Sequence, residues 1–240
     1  MPYADVNGLH LYYEEHGEGP PLVLLHGGLV TIELSFGVAL PVLAEHHRVI
    51  AVELQAHGRT ADIDRPLAFD LLAADVVALL DHLGIERADV FGFSLGGLVT
   101  YELLIAHPGR VRRAVVGSAD FRNDRGGEAH PERLPTEADF QAMRDAYAAV
   151  APDPGHFDAA GEKVGGLVHT FGGWTDDQLR GIEVPVLVLI GDTDFILVPN
   201  AVEAVALLPD AQLAVLPGTT HMDVTRSGLV APVVAAFLRG

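Results

Sequence analysis

The sequence predicts an α/β fold organised around a mostly parallel sheet, and three observations carry that prediction. Short apolar runs alternate with longer segments of helical periodicity through the first half of the chain, which is the rhythm of βαβ units. The 240 residues, 49% of them hydrophobic, suit one domain large enough to bury a continuous core. A serine between glycines, in Gly92-Phe93-Ser94-Leu95-Gly96, follows a strand-like run and opens a helix-like one. Strand, serine turn and helix in that order fit a nucleophile held on a tight turn.

Taken in order, Val6-Asn7-Gly8-Leu9 reads as the turn of a hairpin, because Asn-Gly favours the two-residue turn that joins antiparallel strands. It links a short first strand to the alternating run 10–15. Residues 21–25 then read as a buried strand. After the His26-Gly27-Gly28 loop come a helix near 34–45, a strand over 48–54, a helix over 68–83, the strand leading to Ser94, and a strand over 111–116. The rhythm stops between 121 and 183. That stretch is dense in charge, Gly and Pro, with Arg122-Asn123-Asp124-Arg125-Gly126-Gly127 at one end, and about sixty residues are too many for an ordinary connection. Phe140, Met143, Tyr147 and Val150 recur in it at amphipathic helix spacing. Strand character resumes over 184–190, followed by a helix near 200–208, a strand over 211–216 and a last helix over about 225–238.

Composition narrows the function. Fifteen Lys and Arg against 33 Asp and Glu give a formal charge of −18, a surface that repels phosphate backbones and anionic lipid, so no nucleic-acid or membrane partner is expected. No apolar stretch approaches the roughly 18–20 residues of a membrane span, and Met-Pro-Tyr-Ala-Asp at the start has no signal-like pattern. The expectation is a soluble, cytoplasmic protein. The absence of cysteine rules out disulfides, thiolate metal sites and a cysteine nucleophile.

A serine hydroxyl is a weak nucleophile near neutral pH and needs a histidine to take its proton and a carboxylate to orient that histidine. After the 184–190 run comes Gly191-Asp192-Thr193-Asp194, and after Leu216 comes Pro217-Gly218-Thr219-Thr220-His221. In an open parallel sheet both loops emerge at the carboxyl edge, where ligands bind. Serine, acid, histidine is the chain order expected for this kind of nucleophile turn. Asp192 competes with Asp194 for the acid, its other role being a turn residue bonded to its own backbone. Among the other histidines, His10, His16, His82, His107, His130, His156 and His169 lie in segments with no matching context.

With these pieces in order the chain resembles the α/β-hydrolase fold family along nearly its full length. The resemblance is carried by His26-Gly27-Gly28, by Glu53-Leu54-Gln55-Ala56-His57-Gly58-Arg59-Thr60, by the serine turn, by the Gly-x-x-Asp loop and by the late histidine. It implies a mostly parallel eight-stranded sheet with helices on both faces, a core of residues 1–120 and 184–240, and a small helical cap over 121–183. It also implies Ser94 as nucleophile, Asp194 as acid and His221 as base, with the backbone N–H groups of Gly28 and Leu95 as oxyanion donors. Gly28 departs from the bulkier residue of many relatives, so Leu29 stays a second candidate donor. His26 is expected to brace the oxyanion loop, and His57 to be structural.

Leu29, Phe93, Phe195 and Met222 adjoin these residues in sequence, and Tyr147 and Trp174 lie in the cap; together they are the expected substrate-binding set of a mostly apolar pocket. Other cap residues are expected to form its own small core. No metal-loop, dinucleotide or phosphate-loop motif is present, so no cofactor and no metal are expected. The expected activity is hydrolysis of a small-molecule carboxylic ester or lactone. Serine at the nucleophile position argues against the haloalkane dehalogenase and epoxide hydrolase branches, which use aspartate. Macrocyclic lactone hydrolysis, carbon-carbon bond hydrolysis and perhydrolysis stay open. A ligand receptor on the same fold is the alternative from another class, and turnover separates it from an enzyme.

Overall fold

Asn7 and Gly8 both take positive φ, 49° and 84°, the two-residue turn that matches the twist of a hairpin. They join β1 (Tyr3–Val6) to β2 (Leu9–His16). β3 (Pro21–Leu25), β4 (Arg48–Val52), β5 (Ala88–Phe93), β6 (Val111–Gly117), β7 (Val186–Gly191) and β8 (Ala211–Leu216) complete an eight-stranded sheet in the order β1-β2-β4-β3-β5-β6-β7-β8. The two pairings made by β2 are antiparallel and all the rest are parallel. The computed structural model describes residues 2–122 and 131–240, so most of the Arg122 to Gly127 run and His130 lie outside the described residues.

The central strands are continuous apolar runs because both faces of the sheet are covered. Alternate residues of β3 feed opposite cores: Val23 and Leu25 pack toward α3 (Phe69–His82) and α4 (Leu95–Ala106), whereas Leu22 and Leu24 pack toward α1 (Ile32–Phe36), α2 (Ala39–Leu43) and α9 (Val230–Arg239). Each fully buried Leu, Val or Phe in these cores contributes roughly 1.5–3 kcal/mol relative to an exposed one.

Two expected elements differ in form. The helix near 34–45 is two short helices: Gly37 closes the first on Glu33 O, and Pro41 sits in the first turn of the second, where its missing N–H costs nothing. The last helix begins at Val230, because the N–H groups of Arg226 and Ser227 both close on Asp223 O in turns before Gly228. Two α-helices went unread in the sequence, the five-residue helix Asp176–Arg180 and the longer α6 (Phe157–Thr170), which follows α5 (Glu137–Val150). In α6, Gly161, Gly165 and Gly166 obscured the spacing of Phe157, Ala160, Val164 and Leu167 that buries it.

After α6 the chain returns to the sheet through Trp174, before α7 (Asp176–Arg180); α8 (Val198–Leu207) lies between β7 and β8. The Trp174 indole is buried against Phe69, Tyr101 and Phe171, its ring nitrogen donates to Glu102 at 3.2 Å, and its backbone N–H donates to Phe121 O. This contact ties the 121–183 stretch to α3 and α4. Trp174→Ala is expected to lower unfolding free energy by about 3–5 kcal/mol, as measured by denaturant titration; a loss below about 1 kcal/mol would show that the indole is not an anchor.

Candidate active site

Ser94 stands between β5 and α4 with φ 52° and ψ −114°, a conformation that side-chain-bearing residues avoid. Its neighbours make it possible. A Cβ on Gly92 would strike Gly96 O and Thr100 Oγ1, and a Cβ on Gly96 would strike Leu25 O and His26 O. The turn is clamped on both sides by Ser94 N–H to Gly117 O (2.8 Å) and Gly96 N–H to His26 O (3.0 Å). The serine is thereby aimed from the carboxyl edge between the ends of β3 and β6.

The loops after β7 and β8 bring the other two side chains to it. Ser94 Oγ lies 3.0 Å from His221 Nε2, and His221 Nδ1 lies 2.9 Å from Asp194 Oδ1. Asp194 and His221 are both buried, and the imidazole is flanked by Phe195 (4.1 Å between centroids) and Phe93 (5.0 Å). Asp194 Oδ1 also accepts the Ile196 N–H, whereas Oδ2 is buried with no hydrogen-bond partner among the described residues. Asp192, the rival acid, is exposed and accepts the Thr219 N–H; backbone donors at Gly218 and Thr219 hold its carboxyl below the usual range. It is a turn residue. Arg133, which the sequence did not single out, donates to the backbone carbonyl of Asp194 at 3.2 Å.

Gly28 and Leu95 meet beside Ser94, and a Cβ on Gly28 would lie 3.9 Å from that of Leu95. As the first residue of α4, Leu95 has an N–H with no acceptor inside the helix. Leu29 carries φ 62° and lines the same cavity. His26 lies beneath this loop, accepting the Leu54 N–H at Nε2 (3.1 Å), so Nδ1 carries the proton and donates to Gly27 O (2.7 Å). Burial, with His57 next to it, lowers the His26 pKa to about 3, and burial lowers that of His57 to about 4; their rings are 4.8 Å apart. Neither is a base at neutral pH.

A cavity of about 360 Å³ opens over Ser94. Its wall includes Leu29, Phe195 and Met222, as expected, with Phe140 and Met143 of α5 and Val164 of α6. Three expected wall residues are elsewhere. Phe93 packs below His221, Tyr147 packs on Phe157 in a small cluster with Val30 and Met143, and Trp174 is the anchor described above. The spacing that marks Tyr147 as inward on α5 does not distinguish a helix-helix contact from the cavity. Phe140 is legible in the sequence as a cap aromatic on an amphipathic helix, open to the pocket or to the cap's own core, whereas Val164 falls in no assigned element. Among the described residues no group of side chains has metal-binding geometry and no helix is long and apolar enough to cross a membrane.

A sequence family described as alpha/beta hydrolase fold matches residues 20–170. The non-heme haloperoxidase of Rhodococcus erythropolis is 30% identical over 257 residues, covering 92% of this chain and 93% of the relative. Among solved structures, Est816, described as an N-acyl homoserine lactone degrading enzyme, superposes with a TM-score of 0.78 at 26% identity, covering 98% of this chain and 100% of that one. The enol-lactonase from Burkholderia xenovorans superposes with a TM-score of 0.80 at 22% identity, covering all of both chains.

The two buried histidines set a pH dependence of stability. Unfolded, each titrates near 6.5; folded, near 3 and 4. Between those values the unfolded chain binds protons that the folded one refuses, so stability is full above about pH 6.5 and is lost as pH falls toward 4. From pH 7.5 to 5.5 the unfolding free energy is expected to drop by about 2–3 kcal/mol, and His57→Gln to remove about half of that drop. Equal stability at the two pH values would contradict the burial argument.

Proposed function

The chain belongs to the α/β-hydrolase fold family, and from that premise we propose that it is a serine hydrolase that cleaves carboxylic esters or lactones through an acyl-enzyme on Ser94. The observation that carries this reading is the relay of 3.0 Å from Ser94 Oγ to His221 Nε2 and 2.9 Å from His221 Nδ1 to Asp194 Oδ1. Ser94 Oγ attacks the carbonyl carbon while His221 Nε2 takes its proton. Asp194, whose charge is directed at His221, stabilises the imidazolium. The oxyanion is held by the N–H groups of Gly28 and Leu95, each worth about 10²- to 10³-fold in rate. His221 then protonates the departing alkoxide, which in a lactone stays tethered to the acyl group. Water, deprotonated by His221, attacks the acyl-enzyme and releases the acid.

Residues 121–183 are proposed as the cap, with α5 and α6 supplying the apolar side of the cavity. At about 360 Å³ the space is at the small end of ligand pockets, roughly 300–1,000 Å³. Short acyl esters and small lactones are therefore favoured over macrocyclic ones. A second reading rests on the haloperoxidase relative: hydrogen peroxide in place of water would take the acyl group from Ser94, giving a peracid and free serine. It shares the acyl-enzyme and differs only in the second nucleophile.

Ser94→Ala is expected to lower ester hydrolysis by roughly 10⁴- to 10⁶-fold, because the triad acts as a unit; a variant retaining near-normal rates across short esters and lactones would end this reading. Asp194→Asn is expected to cost on the order of 10⁴ in kcat, as loss of the carboxylate leaves the histidine in the wrong tautomer. Asp192→Asn, altering an exposed turn, should change kcat by less than about 3-fold. The reverse ranking in steady-state kinetics would reassign the acid.

A further inference from the structure

The helix α6 forms the roof of the oxyanion loop. A Cβ on Gly28 would lie 3.1 Å from Val164 Cγ1, and one on Gly161 would lie 3.7 Å from Leu29 Cδ1, so the two segments are in direct contact. The loop has little stiffness of its own: Gly28 carries no side chain, and Leu29 sits at φ 62°, a left-handed conformation disfavoured for a non-glycine residue. Nor is the roof intrinsically rigid. Gly165 and Gly166 have nothing within 4 Å of where their Cβ atoms would be, so packing does not demand them, and each weakens a helix relative to alanine.

Beside the apolar packing of Val164 and Leu167 on the core, one side chain within this helix adds a polar tether. Lys163, adjacent to Val164, places its ammonium 2.6 Å from Asp62 Oδ2 and 3.2 Å from each of the carbonyl oxygens of Ile63 and Arg65. Those three acceptors match the three N–H bonds of the ammonium. The anchor is itself fixed. Asp62 also pairs with His156 Nε2 (3.1 Å) and accepts from the buried Gln55 (2.8 Å), whose carbonyl oxygen is gripped by Arg65, and Arg65 is ion-paired with the buried Asp75 of α3.

We propose that Lys163 is a positioning residue for the oxyanion loop: its three bonds to the 62–65 segment seat α6 so that Val164 presses on Gly28 and keeps that N–H aimed at the reacting carbonyl. The inference rests on the oxyanion role proposed for Gly28. Removing the tether should loosen the loop in the transition state more than it weakens ground-state binding.

The test uses two readouts on the full-length protein: labelling of Ser94 by a fluorophosphonate, which needs nucleophile and oxyanion donors but no knowledge of the natural substrate, and kcat and KM on a short p-nitrophenyl ester. Lys163→Met is expected to slow labelling and lower kcat by about 10- to 100-fold, the scale of a displacement near 1 Å. KM should change by less than about 3-fold, and Lys163→Arg, which can still reach Asp62, should recover most of the loss. A labelling rate within 2-fold of the unaltered protein, or a raised KM with kcat intact, overturns the proposal and reduces Lys163 to a fastener of the cavity wall. Should thermal scans find Lys163→Met unfolded, Asp62→Asn is measured against the same two criteria. If the unaltered protein is not labelled at Ser94, the function on which this rests fails with it.

Discussion

Everything at the site depends on one backbone constraint, the reversal at Ser94 from β5 into α4. It requires a serine at positive φ, and that is tolerated only where the chain two residues either side has no Cβ, because Gly92 and Gly96 are in contact with backbone oxygens that a side chain would strike. The hydrogen bonds from Ser94 to Gly117 and from Gly96 to His26 then fasten the reversal to the strands on either side. Since β3, β5 and β6 are neighbours, one turn sets the position of the serine, of the first N–H of α4 and of the loop that carries Gly28. The outer strands β7 and β8 deliver Asp194 and His221 to the same edge.

What the chain revealed before folding follows from this. Alternating apolar runs and helices mark a mostly parallel sheet whose carboxyl edge carries the loops of Ser94, of Asp192 and Asp194, and of His221, whereas the count of eight strands and the choice of Asp194 over Asp192 were what the resemblance to the α/β-hydrolase fold family implied. Side chains on the 121–183 stretch have many destinations. Tyr147 and Met143 have the same periodicity on α5, yet the first packs on Phe157 and the second also reaches the cavity, a difference decided by where α6 crosses. That helix was itself hidden by three glycines. Besides the burial of Val164 and Leu167, its hold on the core comes from the pairing of Lys163 and His156 with Asp62, about a hundred residues earlier, which no local pattern encodes.

The electrostatics divide the histidines by burial and partner. His26 and His57 are sealed beneath the loop that carries Gly28 and kept neutral, so they brace; His221 is also buried but faces a carboxylate that has few other contacts. Residues of the same type are thus separated into support and proposed catalyst by what lies within hydrogen-bond reach. The apolar cavity above them limits size more than polarity, consistent with a small ester or lactone as the proposed substrate.

The most direct measurement is a rapid acid quench of the protein turning over a short-chain activated ester, followed by peptide mass spectrometry. The account predicts a burst of alcohol release and one added acyl group on the peptide containing Ser94, absent from Ser94→Ala. Turnover without any adduct on that peptide, or an adduct on a different residue, would contradict it.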